Sequence, residues 1–246
     1  MPKIYFIICG ILFLSSVLVS QERKWSHSSG AGLTVTSGNS ETVTASGNHK
    51  SQLKGDDDLF QFSFLGAYGV KETVAEDGEK KNEEFLMNIV FTMQYDRKIS
   101  ERFFWLIGEK SELDKIANLE YRFNIGPGLG YKLLNEEDLT FDIEMGGNYI
   151  HEKFENVEKE NIIAGRIAEK FIWKITKTST LWLNAELLLN VEDSEDIRAS
   201  GEFGLEVKIS DRWNIRTVIQ DKYINVVPID TKRNDITFMT TLVFKY

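Results

Sequence analysis

The chain has 246 residues and a formal net charge of -9, with 42% hydrophobic, 27% charged and 12% aromatic residues. The acidic balance argues against a sequence-independent nucleic-acid binder, because such proteins neutralise phosphates with clustered Lys and Arg. A single cysteine excludes a disulfide framework and a thiolate zinc site, and the apolar and aromatic content excludes a disordered chain.

The first twenty residues have the pattern of a secretory signal peptide. Lys3 supplies a positive charge, residues 4–14 are apolar, and small residues follow. We expect cleavage after Ser20, which leaves residues 21–246 as the mature domain. A membrane anchor is the alternative, but the apolar run is short and no stop-transfer charges follow closely. The only cysteine, Cys9, lies in the removed segment, so the mature chain suits an oxidising compartment.

The rest of the chain alternates apolar and polar residues in stretches of about ten or more, the length that a tilted strand needs to cross a bilayer. Phe141 and Ile143, for example, alternate with Asp142 and Glu144. This period of two predicts strands rather than helices. The predicted spans are 26–37, 41–52, 59–72, 83–96, 102–110, 118–133, 139–152, 162–174, 180–191, 197–209, 213–225 and 235–246.

The joins between these twelve predicted strands alternate between short turns and mostly longer loops, several of them highly charged. Outer-membrane barrels have short periplasmic turns and longer outside loops. The pattern therefore predicts an all-β fold, a membrane-spanning antiparallel up-and-down β-barrel with both chain ends on the periplasmic side. The join at residues 37–40 is an exception, because it should be an outside loop and yet has the composition of a tight hairpin.

Pro127 lies within the predicted strand 118–133, where proline cannot donate a ladder hydrogen bond. We interpret residues 126–130, which contain three glycines, as a local bulge or bend. The inward glycines would let another lumen side chain lie close.

The last predicted strand has one apolar face that ends on an aromatic residue. Bacterial outer-membrane barrels commonly finish on such a strand, and we expect it to bind the barrel assembly machinery. The alternative is an ordinary final strand of a soluble sheet. The residues of this assembly face are Phe238, Leu242, Phe244 and Tyr246.

The tryptophans lie near the strand ends that adjoin the short turns or the first strand's start, which is typical of an aromatic girdle at one membrane interface. Leu181 and Leu183 flank one of them, and alternation would point that tryptophan inward. A looser girdle of Tyr and Phe is expected at the other end. The tryptophan girdle comprises Trp25, Trp105, Trp173, Trp182 and Trp213.

The strand faces opposite the apolar ones carry charges of both signs. A barrel interior can be polar, so we expect a lumen crossed by ion pairs rather than lined by one charge. The alternative is a solvent-facing surface of a soluble sheet. The inward candidates are Glu120, Arg122, Lys132, Asp142, Glu144, Arg166, Glu202, Glu206, Lys208, Arg216 and Lys222.

Several segments in this order resemble one known family. The most specific is YRFNIGPGLGY at residues 121–131, followed by EMGGNY at 144–149, with weaker matches at 38–42, 171–174 and 235. On these segments the chain resembles the salt-induced outer membrane proteins, family 481 of the domains of unknown function. The resemblance covers nearly the whole mature chain and implies an outer-membrane β-barrel. It brings no catalytic residues, and its name suggests a link to salt or osmotic stress.

The sequence offers little for catalysis or metal binding. His151 and Glu152 are neighbours on a strand, so their side chains point to opposite faces. Asp56, Asp57 and Asp58 could bind a divalent cation, but a solvated turn is the simpler interpretation. We therefore expect no enzyme, no catalytic or metal site and no cofactor.

These features together predict a protein of the bacterial outer membrane, reached after secretion and signal-peptide cleavage. We expect a narrow channel or transport barrel for ions or small solutes. The alternatives are a structural or stress-responsive envelope barrel without transport, and a soluble secreted β-protein. Expected partners are outer-membrane lipids, lipopolysaccharide and the barrel assembly machinery, with no nucleic acid and no prediction of oligomeric state.

Overall fold

The computed structural model describes residues 23–36, 42–74, 80–115, 117–227 and 233–246. These residues form twelve antiparallel strands that close into one barrel, in which each strand pairs with its neighbours in sequence and β1 pairs with β12. The predicted fold is confirmed. The strands are β1 (Lys24–Thr36), β2 (Thr42–Lys54), β3 (Asp58–Val74), β4 (Lys80–Lys98), β5 (Phe103–Asp114), β6 (Leu119–Asn135), β7 (Leu139–Phe154), β8 (Glu160–Lys174), β9 (Ser179–Asn190), β10 (Ile197–Lys208), β11 (Trp213–Ile224) and β12 (Asn234–Lys245).

Two predictions from the sequence concern residues outside this set, namely the signal peptide at 1–20 and the hairpin at 37–40. Across the part of the chain that is described, no helix is long and apolar enough to cross a membrane.

The two ends of the barrel differ in the length of their connections. At one end, which we call the turn end, three or four residues join successive strands, and β1 begins and β12 ends there. At the other end, the loop end, four to nine residues separate the strands. The short turns are closed by backbone bonds such as that from the Ile99 amide to the Phe103 carbonyl, 2.8 Å. The alternation of join lengths in the sequence is therefore a property of the fold.

The closing seam is the shortest strand pairing. β1 and β12 are in register over only four positions, from Ser28 opposite Lys245 to Ala31 opposite Leu242, whereas β1 and β2 pair over thirteen. Two further backbone bonds of 3.1 Å join His27 and Tyr246. Closure is complete nonetheless, and a closed sheet leaves no long row of unpaired backbone groups at an edge.

The outer surface of the barrel is an apolar band. Large hydrophobic side chains that alternate outward are exposed, among them Leu129 (60%), Met145 (61%) and Ile167 (48%). Exposed apolar surface of this extent is unfavourable in water but favourable against lipid tails. The band is the surface of a barrel that spans a membrane.

The strand β6 keeps its register through Pro127, which pairs with Ile107 on β5, so there is no bulge at the predicted bulge or bend. The pairing of β6 with β7 is nevertheless interrupted at Gly126 and Pro127, between Ile125 and Gly128. The register shifts of β6 against β7 lie instead near its two ends, between Leu119 and Tyr121 and between Lys132 and Leu134. The prediction about inward glycines is confirmed. A Cβ at Gly130 would collide with the ring of Phe104, so glycine makes room for this buried lumen side chain.

Candidate functional site: the barrel lumen

The polar interior of the barrel has two parts at different heights. Near the loop end, charged side chains from β5, β6, β7, β10, β11 and the connection between β9 and β10 meet in what we call the ion-pair layer. Between this layer and the turn end lies an open space that we call the lumen cavity. The ion-pair layer consists of Glu112, Asp114, Arg122, Glu152, Asp196, Arg198 and Lys222.

Arg198 and Glu152 form the most completely bonded pair of the ion-pair layer. Two guanidinium nitrogens of Arg198 donate to the two carboxylate oxygens of Glu152, at 2.8 and 2.9 Å. The same guanidinium donates two bonds of 2.9 Å to Asp196. All three side chains are buried. Bidentate geometry of this kind fixes the orientation of both partners and strengthens the bonds.

The ion-pair layer crosses the barrel. Arg122 donates to Glu152 at 2.6 Å and lies 3.5 Å from Glu112. Glu112 on β5 is in turn paired with Lys222 on β11, and these strands are six places apart in a twelve-strand ring. A direct contact between opposite walls leaves no wide passage at that point. The lumen is therefore constricted by salt bridges at this level.

Apolar packing supports the ion-pair layer on one side. Ile150, Ile162, Ala164 and Leu188 point inward from β7, β8 and β9 and form a buried cluster. Ile150 has no exposed surface. These side chains fill lumen volume that would otherwise hold water, and they limit the motion of the neighbouring charged groups.

The lumen cavity has a volume of about 820 Å³. Inward side chains line it from the middle of the strands to Ser26 on β1, Thr180 on β9 and Lys245 on β12, which lie close to the turn end. Its walls carry hydroxyl, amide and charged groups. A space of this size and polarity can hold water together with ions or small solutes.

Glu144 on β7 anchors a charged cluster in the wall of the lumen cavity. This carboxylate is 1% exposed and accepts from Arg166 at 3.0 Å and from Lys170 at 2.7 Å. Arg166 also binds Glu186 at 2.6 Å. Gln94 on β4 accepts from Lys170 at 2.9 Å, which ties β4 to β8 across the lumen.

Glu206 on β10 anchors a second cluster nearer the β1–β12 seam. It accepts from Arg216 at 2.6 Å, from Asn214 at 2.6 Å and from Lys245 at 2.5 Å. Arg216 also reaches the side-chain oxygen of Asn48 on β2, 3.4 Å away. Both clusters leave part of their cations facing the cavity.

The cations facing the lumen cavity outnumber the carboxylates. Among the described residues at inward positions in its lining, three are carboxylates, namely Glu186, Glu202 and Glu206. The cations are Lys50, Lys110, Arg166, Lys170, Arg216, Lys222 and Lys245. The charged groups at the cavity surface are thus mainly cations, four of which are paired with the buried carboxylates Glu112 and Glu144.

Most of the inward candidates from the sequence have lumen partners. Arg122 and Lys222 belong to the ion-pair layer, while Glu144, Arg166, Glu202, Glu206 and Arg216 line or support the cavity wall. Lys132 is opposite Asp142 and lies 6.0 Å from the centre of the Phe104 ring. Lys208 is half-exposed beside the turn residue Asp211, at 2.9 Å, and so lies at the rim.

The prediction is wrong for Glu120. The register shift between Leu119 and Tyr121 breaks the alternation, so Leu119 takes the inward position and is 2% exposed. Glu120 instead forms an exposed salt bridge of 2.6 Å with Lys153 on β7. One extra residue in a strand is enough to move a side chain to the other face.

The prediction that Trp182 belongs to the outer girdle is also wrong. Its ring nitrogen donates to Glu202 at 2.6 Å, and the Arg216 guanidinium lies 5.8 Å from its ring centre. A Cβ at the facing Gly204 would collide with this ring, so glycine creates the space that the indole fills. Trp182 is therefore part of the lumen wall.

The other four tryptophans point outward near the turn end. Trp25, Trp105, Trp173 and Trp213 are 39–50% exposed. On β12, Phe238, Leu242 and Tyr246 are outward and exposed, at 67%, 47% and 62%. Phe244 lies on the same face, with its ring centre 5.0 Å from that of Trp213.

The sequence predictions omitted several important lumen residues, namely Lys50, Glu112, Glu152 and Arg198. Alternation could have identified two of them. Glu152 is an even number of residues from Glu144 on the same strand, and Arg198 is an even number from Glu202, so each pair points to the same face. What alternation cannot supply is which charges meet across the barrel.

The histidines lie outside the lumen. His27 and His49 each approach the Ser51 hydroxyl at 2.8 Å on the outer face beside the seam, and His151 bonds Asn161 at 2.7 Å. The described part of the chain contains no group of three or more His, Cys, Asp or Glu arranged to hold a metal ion. In the Asp56–Asp58 turn, Asp58 is paired with Arg23 at 2.8 Å.

The chain matches one protein family in sequence and several solved barrels in structure. A family model described as "Protein of unknown function, DUF481" matches residues 29–246. No curated protein matches the chain.

Three solved structures illustrate the similarity of fold. The translocator domain of the autotransporter NalP from Neisseria meningitidis is 10% identical, with a TM-score of 0.45, and the match covers 98% of this chain and 94% of that one. The NanC porin is 10% identical, with a TM-score of 0.46 and coverage of 89% and 96%. The COG4313 outer membrane channel from Pseudomonas putida F1 is 9% identical, with a TM-score of 0.49 and coverage of 94% and 97%.

Proposed function

This chain belongs to the family of proteins of unknown function DUF481, and we propose that it acts as a narrow outer-membrane channel for ions or small solutes. The observation that carries the proposal is the lumen cavity of about 820 Å³ lined by polar and charged side chains. A barrel that served only as a scaffold could fill this space with side chains. The proposal includes no catalytic step.

The proposed placement puts the turn end in the periplasm and the loop end outside, after removal of the signal peptide. The short connections at the turn end support this orientation, because outer-membrane barrels have short periplasmic turns and longer outside loops. Lipids and lipopolysaccharide would surround the apolar band. The exposed face of β12, with Phe238 and Tyr246, is suited to contact the assembly machinery.

In this proposal the ion-pair layer sets the conductance. Solutes would enter the lumen cavity from the turn end and pass the layer only where its salt bridges leave or open a path. Lys222 is the contact that reaches across from β11 to Glu112 on β5. Removing it should widen the constriction without disturbing the outer surface.

Conductance in planar lipid bilayers tests the proposal. Purified protein should give discrete conductance steps, and Lys222→Ala should raise the step size several-fold, because a constriction dominates the resistance of a narrow pore. Lys153→Ala, which removes an exposed outer salt bridge with Glu120, is the matched control and should leave the steps unchanged. A wild-type barrel and a Lys222→Ala variant that are both electrically silent would overturn the channel.

The second candidate is a structural envelope barrel without transport. The salt bridges that join non-adjacent strands, Lys222 with Glu112 and Arg198 with Glu152, favour it, because they brace the barrel as well as narrow it. This candidate predicts silent bilayers and a weakened envelope after deletion of the gene. A link to salt or osmotic stress is tested by the same deletion strain, whose growth should fall at high salt.

A further inference from the structure

We propose that the lumen cavity contains a binding site for a small anion, centred on the ammonium group of Lys50. This inference rests on the proposed function in one respect, since the anion would be the class of solute that the channel favours. The site itself is a feature of the cavity and can be tested without any measurement of transport.

Lys50 lies at an inward position on β2. Its neighbours on the adjoining strands are Ser63 on β3 and Ser28 on β1, and all three side chains line the lumen cavity. The side chain is exposed, and because it points into the barrel, this exposed surface faces the cavity. The ammonium group is therefore available to a solute in the lumen.

Lys50 differs from the other cations of the cavity in lacking a carboxylate. Each of the other six has a carboxylate oxygen within 4.0 Å: Lys110 and Lys222 pair with Glu112, Arg166 and Lys170 with Glu144, and Arg216 and Lys245 with Glu206. Within the described residues no ion pair is found for Lys50. Its ammonium group therefore has no carboxylate in contact that would compete with a solute anion.

The carboxylates that act electrostatically on Lys50 are hydrogen-bonded to other side chains. Glu202 accepts from Trp182 at 2.6 Å and from Gln220 at 2.8 Å. Glu206 accepts from both Arg216 and Lys245. Both carboxylates act on Lys50 through space, as do the cations Arg216 and Lys170. Neither carboxylate is found at ion-pair distance from the Lys50 ammonium group, which leaves that group's donors open to an anion from the cavity.

The surroundings of Lys50 indicate the kind of anion. The Gln52 and Gln61 amides also line the cavity and can donate hydrogen bonds, and the Ser63 hydroxyl beside them shares a bond of 2.6 Å with Thr92. Together with one ammonium group they suit a small carboxylate or an inorganic anion. Binding should be weak, because a channel site must release its ion as readily as it takes it.

Iodide quenching of tryptophan fluorescence tests the site directly. Trp182 lies in the lumen wall beside Glu202 and Arg216, and its emission is isolated as the difference between wild-type protein and Trp182→Phe in detergent micelles. Iodide should quench Trp182 more strongly than caesium does. Lys50→Gln should lower the iodide quenching, since removal of a unit positive charge from the cavity wall lowers the local concentration of a monovalent anion.

Two controls separate charge from access. Acrylamide is neutral, so its quenching of Trp182 should be the same in both proteins, which also shows that Lys50→Gln keeps the lumen wall intact. Lys208→Gln removes a rim lysine that is paired with Asp211 and should leave iodide quenching unchanged. Equal quenching by iodide and caesium, or no effect of Lys50→Gln, would overturn the anion site.

Reversal potentials in a KCl gradient distinguish this inference from the proposed channel. The channel should prefer chloride, and Lys50→Glu should shift the preference toward potassium. Silent bilayers with the iodide effect intact would leave the anion site standing and reject the channel. Conductance without preference for chloride or potassium, together with iodide quenching that Lys50→Gln does not change, would support the channel and reject the anion site.

Discussion

The ion-pair layer and the lumen cavity are built from the same residue types and behave as opposites. In the layer, Arg198, Glu152 and Asp196 are buried and saturate one another with hydrogen bonds. In the cavity, cations outnumber inward carboxylates and Lys50 has no carboxylate at ion-pair distance among the described residues. One region closes the lumen, and the other leaves it open with cations at its surface.

Inward charge does not by itself make a pore. Where long side chains from opposite walls reach each other, as Glu112 and Lys222 do, they replace water and constrict the lumen. Where the inward residues are short, such as Ser28 and Ser63 beside Lys50, side chains from opposite walls do not meet and the Lys50 ammonium group faces water. The pattern of side-chain lengths decides which of the two results.

Glu152→Gln should have the largest effect on stability, because it removes the carboxylate that Arg122 and Arg198 share. Two buried guanidinium groups would then lie close together with fewer partners, and breaking a buried ion pair from one side costs about 3–5 kcal/mol. Urea unfolding from detergent micelles, followed by heat-modifiable migration on gels, measures the loss.

Glu120→Gln is the matched control for that substitution. Its partner Lys153 is exposed, and exposed salt bridges contribute about 0–1 kcal/mol. The contrast between the ion-pair layer and the outer surface would be refuted if the two Glu→Gln variants lost similar stability.

Gly204→Ala should have an intermediate effect, since the new Cβ collides with the indole of Trp182. Overpacking of this kind costs about 1–3 kcal/mol, and displacement of the ring should also shift its fluorescence emission. Gly201→Ala on the same strand is the control, because nothing lies within 4 Å of a Cβ there. Equal stability of the two variants would show that the lumen wall at Trp182 is looser than described.

The barrel could be predicted from the sequence because the features that specify it lie within single strands and single connections. Alternation defines which face of a strand meets lipid, and join length distinguishes the two ends, so twelve strands and their order could be predicted. The exceptions were also local but subtle. Glu120 moved outward because a register shift near Leu119 interrupts the alternation, and a shift of one residue leaves little mark in the sequence.

The lumen could be predicted only in outline. Alternation points Arg122 and Lys222 inward, but their shared partner Glu112 lies on a third strand, and such meetings depend on barrel diameter and stagger. Trp182 had the inward parity, yet its position near a strand end resembled that of the girdle tryptophans. Its place in the lumen depends on Gly204, a cross-strand neighbour that the sequence alone does not pair with it.

Lys50→Gln should have the smallest effect on stability, and that result would sharpen the contrast between the two regions. No ion pair within 4.0 Å is lost at Lys50 among the described residues, and its side chain is exposed to the cavity. The free energy of unfolding should therefore stay within about 0.5 kcal/mol of the wild type, as it does for substitutions away from specific contacts. The measurement is the same urea titration used for Glu152→Gln. A loss of several kcal/mol would mean that Lys50 is held by a structural partner, in which case its charge could not serve a mobile anion.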